Sequence, residues 1–349
     1  MDSVTSCKRL LAWYDQARRD LPWRRPIGDP YRTLVSEIML QQTRVETVLR
    51  YYEKFICRFP TVGSLAESTE AEILVHWSGL GYYKRARTLH QTAKAIVAQG
   101  SFPATLDGLK KLPGVGEYTA AAVGSIAFGL AVPVVDGNVI RVVSRRLGLR
   151  DAGSAAARRQ VRAAAAELVD AARPGDSNQA LMERGATVCT PRAPACGICP
   201  LRPGCIAAER GRAEDYPAPR RRRETERVRL VAALVRQADG RVLIVRRPDA
   251  AALLAGTWEL PWVRNQPSAA AEAALAARYG GRWSLGDRLG EVRHTITHRA
   301  LRIELRTAEL AAGEGVAEGG GEGRWVKPSE LGDLPRSSLL DKLLRCAAV

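Results

Sequence analysis

Four of the chain's seven cysteines fall within seventeen residues, spaced Cys189-x6-Cys196-x2-Cys199-x5-Cys205. Thiolates at this spacing can wrap one compact centre, and four is the number that a four-iron four-sulfur cluster takes. Structural zinc is the competing reading, but its sites usually pair two short Cys-x2-Cys knuckles, and only one short pair is present. Electron transfer is another use of such a centre, and nothing in the sequence tests it. The odd total and the crowding argue against a disulfide framework. Arg184, Arg192, Arg202 and Arg210 flank the cysteines, so this loop is expected to present positive charge to phosphate.

Two carboxylates also have surroundings suited to chemistry. Asp136, in Val135-Asp136-Gly137-Asn138-Val139, sits at a turn that opens a helix. An ordinary helix cap explains the same residues. Glu37 lies in Ser36-Glu37-Ile38-Met39-Leu40-Gln41-Gln42-Thr43 on an expected helix, where a solvated glutamate is the plain alternative. Twenty residues before Asp136 ends the segment Leu112-Pro113-Gly114-Val115-Gly116, which follows Lys110 and Lys111 and precedes a helix beginning near Tyr118. Paired glycines let backbone approach a phosphate closely, and amides at a helix start donate to it, although such a turn also serves as a simple connector.

These residues need a scaffold, and the periodicity supplies one. From Ser6 to about Arg210 apolar residues recur at helical spacing, as in Leu10, Leu11, Tyr14 and Ala17, then Val45, Val48, Leu49, Tyr52, Phe55 and Ile56. Asp29-Pro30 is a cap followed by a first-turn proline, expected to start the helix that carries residues 36–42. Residues 211–226 dissolve into charge and proline, including four arginines at 220–223, and read as a linker. Beyond it, residues 229–235 and 241–246 flank Asp239-Gly240, a hairpin signal. Leu301, Ile303 and Leu305 alternate with Arg302, Glu304 and Arg306, the pattern of a half-buried strand, and helical spacing returns near residues 337–344. The part from 227 to 349 is therefore expected to be α+β, with a flexible glycine-rich loop at 313–323.

The 349 residues suit two domains, and 53 Lys plus Arg against 37 Asp plus Glu give a formal charge of +16. Such an excess favours a polyanionic partner through counterion release, with a merely basic surface as the bland alternative. Nucleic acid is the first expectation. The longest nearly uncharged stretch, residues 120–135, is too short for a membrane span and contains Gly and Pro. No membrane association is expected, and the start of the chain reads as no leader.

With hairpin, aspartate and cysteine loop in this order, the chain resembles the helix-hairpin-helix DNA glycosylases, and within them the MutY family. The cysteine spacing matches the cluster loop of the endonuclease III and MutY glycosylases. The resemblance implies an all-α helix-hairpin-helix glycosylase domain at 1–210, with the hairpin at about 105–130 and a four-iron four-sulfur cluster loop at 189–205. An α+β MutT-like, or Nudix-like, domain follows at 227–349. It implies one cluster per chain on Cys189, Cys196, Cys199 and Cys205, and removal of adenine opposite 8-oxoguanine or guanine in duplex DNA during base excision repair. Asp136 would stabilise an oxocarbenium-like sugar, Asn138 would orient the site, and Glu37 would protonate the leaving base.

Bifunctional relatives carry a Schiff-base lysine two residues after the last hairpin glycine. Here that position is Tyr118, so base removal without efficient strand cleavage is implied, with the tyrosine hydroxyl beside the sugar. Arg19, Leu21, Trp23, Arg24, Leu40 and Glu183 resemble the adenine pocket. Gln41, Gln42 and Tyr82 resemble residues inserted near the lesion when the base is flipped, and Gly114, Val115 and Gly116 form the DNA-binding hairpin. Where the family reads 8-oxoguanine through Phe-Ser-His, this chain has Ile296-Thr297-His298, which retains a hydroxyl and an imidazole but loses the ring. A pair of strand-end histidines without a ligand is the plain alternative. Residues 273–279 lack the acids that a Nudix hydrolase uses to hold magnesium, so nucleotide hydrolysis is not expected. A thymine mismatch glycosylase and a non-catalytic iron-sulfur DNA-binding protein are the alternative functions; Glu37 and the second domain argue against the first, the two carboxylates against the second. The resemblance implies a cytoplasmic, nucleoid-associated monomer.

Overall fold

The computed structural model describes residues 2–219, 224–251, 253–311 and 322–348. The arginine run at 220–223 lies outside the described residues, as does nearly all of the glycine-rich segment. Helices come first: α1 (Ser3–Ala17), α2 (Pro30–Leu40), α3 (Val45–Arg58), α4 (Val62–Glu67), α5 (Glu70–His76), α6 (Lys84–Ala98), α7 (Leu106–Lys110), α8 (Glu117–Phe128), α9 (Gly137–Leu147), α10 (Ala155–Ala166), α11 (Pro174–Thr187) and α12 (Ile206–Glu209). Strands β1 (Glu226–Val235), β2 (Val242–Arg246), β3 (Trp258–Glu259) and β4 (Trp262–Arg264) follow, then α13 (Ser268–Tyr279), β5 (Trp283–Ile296), β6 (Arg299–Leu310), β7 (Gly323–Val326) and α14 (Ser338–Cys346).

Contacts divide the described chain into two compact units. Residues 2–67 and 88–219 form the first; residues 68–87 join those from 224 onward to form the second. The short segment around α5 thus packs with strands far away in sequence. Its ties are specific: the Tyr83 hydroxyl donates to the Arg336 carbonyl at 2.6 Å, and the Arg336 amide donates to the Ser78 hydroxyl at 3.1 Å.

In the helical unit, each site residue stands where a local device puts it. The Asp29 carboxylate accepts the Arg32 amide at 2.9 Å and Pro30 occupies the first turn, which starts α2 as expected. The helix stops earlier than the sequence suggested, at Leu40. Gln41 leaves the helical conformation, with a ψ of 113°, and Gln42 has a φ of 58°, so both glutamines lie past its end. Between α7 and α8 the chain makes the glycine hairpin. Gly114 has a φ of +70°, and a Cβ there would lie 1.8 Å from the Thr88 methyl, so both conformation and space require glycine. The start of α9 is fixed by a buried cluster in which Val139, Val142 and Val143 pack against Leu10, Tyr14, Ala180 and Leu181. Gly185 of α11 lets that helix approach: a Cβ there would meet Asn138 Cβ at 2.6 Å.

The second unit is α+β, with sheet orders β4-β1-β6-β5 and β3-β2-β7. Strand β1 forms where a strand was expected, and from Leu230 to Val235 both of its faces are buried. Leu230, Ala232 and Leu234 pack with α14, whereas Val231, Ala233 and Val235 pack with Leu275 and Tyr279 of α13. The hairpin read at Asp239-Gly240 is only a turn. One antiparallel bridge, Arg236 to Val242, follows it, and then β1 and β2 separate into different sheets, β1 beside β4 and β6, β2 beside β3 and β7. The alternation at 301–306 is a strand, with Leu301, Ile303 and Leu305 buried in β6. Among the described residues no helix is long and apolar enough to cross a membrane.

Candidate active site

One cavity in the helical unit is lined by Glu37, Tyr118, Asp136 and Asn138, and also by Arg19, Leu21, Trp23, Arg24, Leu40 and Glu183. These ten positions, scattered from 19 to 183, therefore share one space. Glu37 projects from α2 and is only 5% exposed. Its Oε2 accepts the Tyr118 hydroxyl at 2.6 Å. Burial pushes its carboxyl up to about 7; the tyrosine bond opposes that, the negative charge of Asp136 adds to it, and Arg24 opposes it. Because Tyr118 occupies Oε2, a proton on Glu37 is carried by Oε1. Burial and the neighbouring Glu37 raise the Tyr118 phenol far above its ordinary value, so it stays a neutral donor.

Asp136 is both the helix cap and a wall of the cavity. Its Oδ1 accepts the Val139 amide at 2.6 Å and its Oδ2 accepts the Asn138 side-chain amide at 2.9 Å. Burial raises its pKa, while those bonds and the charge of Arg141 pull the other way. Arg141 in turn donates to the Asn138 side-chain oxygen at 2.9 Å, to the Gly185 carbonyl at 2.6 Å and to the Cys189 carbonyl at 2.8 Å. A continuous chain of hydrogen bonds thus runs from the carboxylate to the first cysteine of the loop.

At the opposite wall Glu183 is 2% exposed and gripped by two cations. Arg19 Nε lies 2.6 Å from Oε1 and Arg24 Nη2 lies 2.9 Å from Oε2. Burial raises this carboxyl, but the bonds and charges of the two arginines outweigh it and hold the group below its ordinary value. Trp23 stands edge-on to Tyr52, with ring centroids 5.4 Å apart, and so offers a fixed apolar face.

The four cysteines line a separate small pocket with Arg145 and Arg184. Among the described residues no three His, Cys, Asp or Glu side chains are close enough to share one metal ion. The guanidiniums supply matching charge: Arg184 donates to Cys199 Sγ at 3.1 and 2.8 Å, and Arg145 to Cys189 Sγ at 3.3 Å. Arg184 Nη1 is buried without a hydrogen-bond partner. Arg184 is therefore not a phosphate contact, contrary to the sequence expectation. It is 1% exposed and turned inward, whereas Arg192, Arg202 and Arg210 remain exposed.

Val115 is buried at the hairpin between exposed Gly114 and Gly116, and the Gln41 amide donates to the Thr119 hydroxyl at 3.4 Å. Tyr82 belongs to the second unit, 42% exposed with a φ of 51°, and the Arg85 guanidinium stacks over its ring at 5.2 Å. Thr297 and His298 form the tip of the β5–β6 hairpin. Thr297 has a φ of 55°, and its hydroxyl lies 3.3 Å from His298 Nδ1. Where Nudix acids would stand, α13 holds one glutamate, Glu272, whose carboxylate accepts the Leu285 amide at 2.8 Å.

Residues 35–170 match the HhH-GPD superfamily base excision DNA repair proteins, and residues 231–346 match the NUDIX domain. The chain is 36% identical to the adenine DNA glycosylase of Homo sapiens, over 96% of this chain and 72% of that one. It is 43% identical to that of Mycolicibacterium smegmatis, over 73% of this chain and 85% of the other. The chain belongs to the adenine DNA glycosylase family. Among solved structures, a thermostable thymine-DNA glycosylase aligns with a TM-score of 0.55 and 30% identity, covering 60% of this chain and 97% of the other. This adenine DNA glycosylase family member is a DNA glycosylase of base excision repair, with the helix-hairpin-helix domain first and the Nudix-like domain second.

For this family member the sequence reading missed several side chains of the same cavity: Thr33, Ser36, Ile126, Gln179 and Met182. Gln179 is polar and directly engaged, accepting Arg24 Nε at 3.1 Å. Its signal in the sequence was weak, since it lies one turn before Glu183 on α11, where a solvated glutamine is equally at home. The buried pair Arg145 and Arg184 was also missed, because nothing in an arginine's neighbours along the chain marks it as turned inward.

Proposed function

We propose that this chain removes adenine opposite 8-oxoguanine or guanine in duplex DNA, by hydrolysing the glycosidic bond of a flipped-out nucleotide, as a monomer working on DNA in the cytoplasm. The observation that carries the reading is a buried carboxylic acid, Glu37, poised near neutrality in one cavity with a second, hydrogen-bonded carboxylate, Asp136. Glu37, whose hydrogen-bond partner is the Tyr118 hydroxyl, is the acid, and Asp136, held by the Val139 and Asn138 donors, is the stabiliser. Glu37 delivers its proton to a ring nitrogen of adenine. The C1′–N bond then breaks with its electron pair leaving on the base, Asp136 faces the cationic sugar, and water adds at C1′ with loss of a proton. Arg19, Leu21, Trp23, Arg24, Leu40 and Glu183 enclose the base. Gln41, Gln42, Tyr82 and the Gly114–Gly116 turn serve duplex binding and flipping.

Tyr118 has no amine with which to form an imine. Strands should therefore break only after alkali, and borohydride should trap no covalent adduct. The test uses duplexes carrying adenine or thymine opposite guanine or 8-oxoguanine. Breakage without alkali, or release of thymine in preference to adenine, would overturn the reading; the likeness to a thymine-DNA glycosylase makes thymine the necessary control.

Cys189, Cys196, Cys199 and Cys205 would hold one four-iron four-sulfur cluster, with Arg145 and Arg184 offsetting its negative charge. When bound, it supplies a covalent cross-link among four points of the loop. Iron and sulfide should each be found at about four per chain, and stoichiometric zinc without iron in anaerobically prepared protein would refute this. In the second unit, Thr297 and His298 are the candidates for polar contact with 8-oxoguanine. Replacing both with alanine should cost about 1 to 3 kcal/mol of preference for 8-oxoguanine over guanine. Single-turnover rates on both duplexes at one salt concentration measure it, and an unchanged preference would remove these residues from the reading.

A further inference from the structure

We propose that the cavity holding Glu37 continues into a second chamber, through which free adenine leaves while the abasic duplex is still bound; this rests on the adenine-release reading above. The second chamber shares with the first a wall made of Arg19, Trp23, Arg24, Thr33, Ile126 and Gln179. Glu37, Tyr118 and Asp136 line the first chamber alone. Asp15, Ala172 and Asp176 line only the second. A path from the acid into the second chamber therefore passes the shared side chains.

Within that waist Gln179 is the most loosely held polar side chain. Arg24 is anchored on the Arg19 carbonyl at 2.6 Å and on Glu183 at 2.9 Å, and its remaining bond, to Gln179 Oε1, is 3.1 Å long. Turning one amide breaks that last tie without disturbing the anchors. Farther out the chamber meets solvent, since the paired side chains of Arg25 and Asp20 at its rim are 77% and 75% exposed.

Before cleavage the base is tethered to the sugar and can return only by the way it came. After cleavage the abasic strand covers that way, and adenine has become a small neutral molecule rich in donors and acceptors. Such a molecule leaves a buried pocket readily only where polar partners replace the ones it loses. The second chamber offers them: Arg173 bridges Asp15 and Asp176 at 2.6 and 2.8 Å, in half-exposed ion pairs of the kind that exchange easily with water.

The test follows radiolabelled adenine opposite 8-oxoguanine in a single turnover of the full chain. Alkali-labile sites report cleavage, and rapid gel filtration separates free label from label still on the protein–DNA complex. In the unaltered protein, label should appear as free base while the abasic duplex remains protein-bound. Ala172 is exposed and lines the second chamber alone, so Ala172→Trp should leave cleavage unchanged and slow the escape of label several-fold; Ala172→Ser should release like the unaltered chain. Label that departs only together with the duplex, or A172W releasing at the unaltered rate, overturns the exit. If A172W slows cleavage itself while release keeps pace, the chamber admits water and the exit is refuted. A chain that makes no alkali-labile sites overturns the adenine-release reading and this inference with it.

Discussion

Glu37→Gln should lower the single-turnover rate of adenine release by about 10²- to 10⁴-fold, the range general acid catalysis supplies, and should also make the folded protein more stable above neutral pH. Both effects come from one cause. Burial raises the Glu37 carboxyl from 4.5 to about 7, so between those values the folded chain holds a proton that the unfolded chain has lost. Stability therefore falls as pH rises through that window, and above it the full cost of the buried charge is present, about 3 kcal/mol. Glutamine has no charge to bury and can still accept the Tyr118 hydroxyl. Melting curves at pH 8.5 should place E37Q above the unaltered protein, with the difference gone near pH 4. The activity of the unaltered chain should fall as pH rises through about 7, where the acid loses its proton. An E37Q chain that cleaves at the unaltered rate, or that melts lower at pH 8.5, would show that Glu37 is not a buried acid.

Asp136→Asn should reduce adenine release by about 10²- to 10³-fold with little change in folding or duplex affinity. Asparagine is as good a helix cap as aspartate, so its side-chain oxygen can still take the Val139 amide and α9 still starts in the same place. What disappears is the negative charge, together with the Oδ2 acceptor of the Asn138 side-chain amide. Loss in the rate with affinity for a mispaired duplex retained is the pattern of an interaction made in the transition state. Binding lost in parallel with the rate would assign Asp136 to positioning of the helix instead. Asp136→Ala makes the useful contrast, since it removes charge and cap together and should lower the melting temperature as well.

Much of this architecture was legible in the residues. The period-two run at 301–306, the cap at Asp29-Pro30 and the cysteine spacing each encode local geometry, and each stands where local geometry requires. Partnerships were harder to read. Asp239-Gly240 specifies a turn, but which sheet a strand joins depends on helices that cover it from elsewhere, and β1 is claimed on both faces by α13 and α14. The same limit hid Gln179 and Ile126. Helical spacing shows that a residue lies on a given face, and only packing decides that the face borders a cavity. Arg184 was misread for a related reason: its charge suggested phosphate, whereas burial beside Cys199 makes it a counterion inside the fold.

The packing of residues 68–87 with the strands has a consequence for how this chain can be taken apart. The backbone passes between the two units three times, near residues 67, 87 and 220, and not once as a bead-on-a-string arrangement would have it. The strand-bearing unit is thus no removable cassette. A protease that nicks the basic linker leaves the halves joined by two uncut crossings. Grafting the C-terminal part of one such enzyme onto the N-terminal part of another would set Ser78 and Tyr83 against a foreign surface. Exchange of these parts between related chains therefore succeeds only when the segment around α5 travels with the strands it serves.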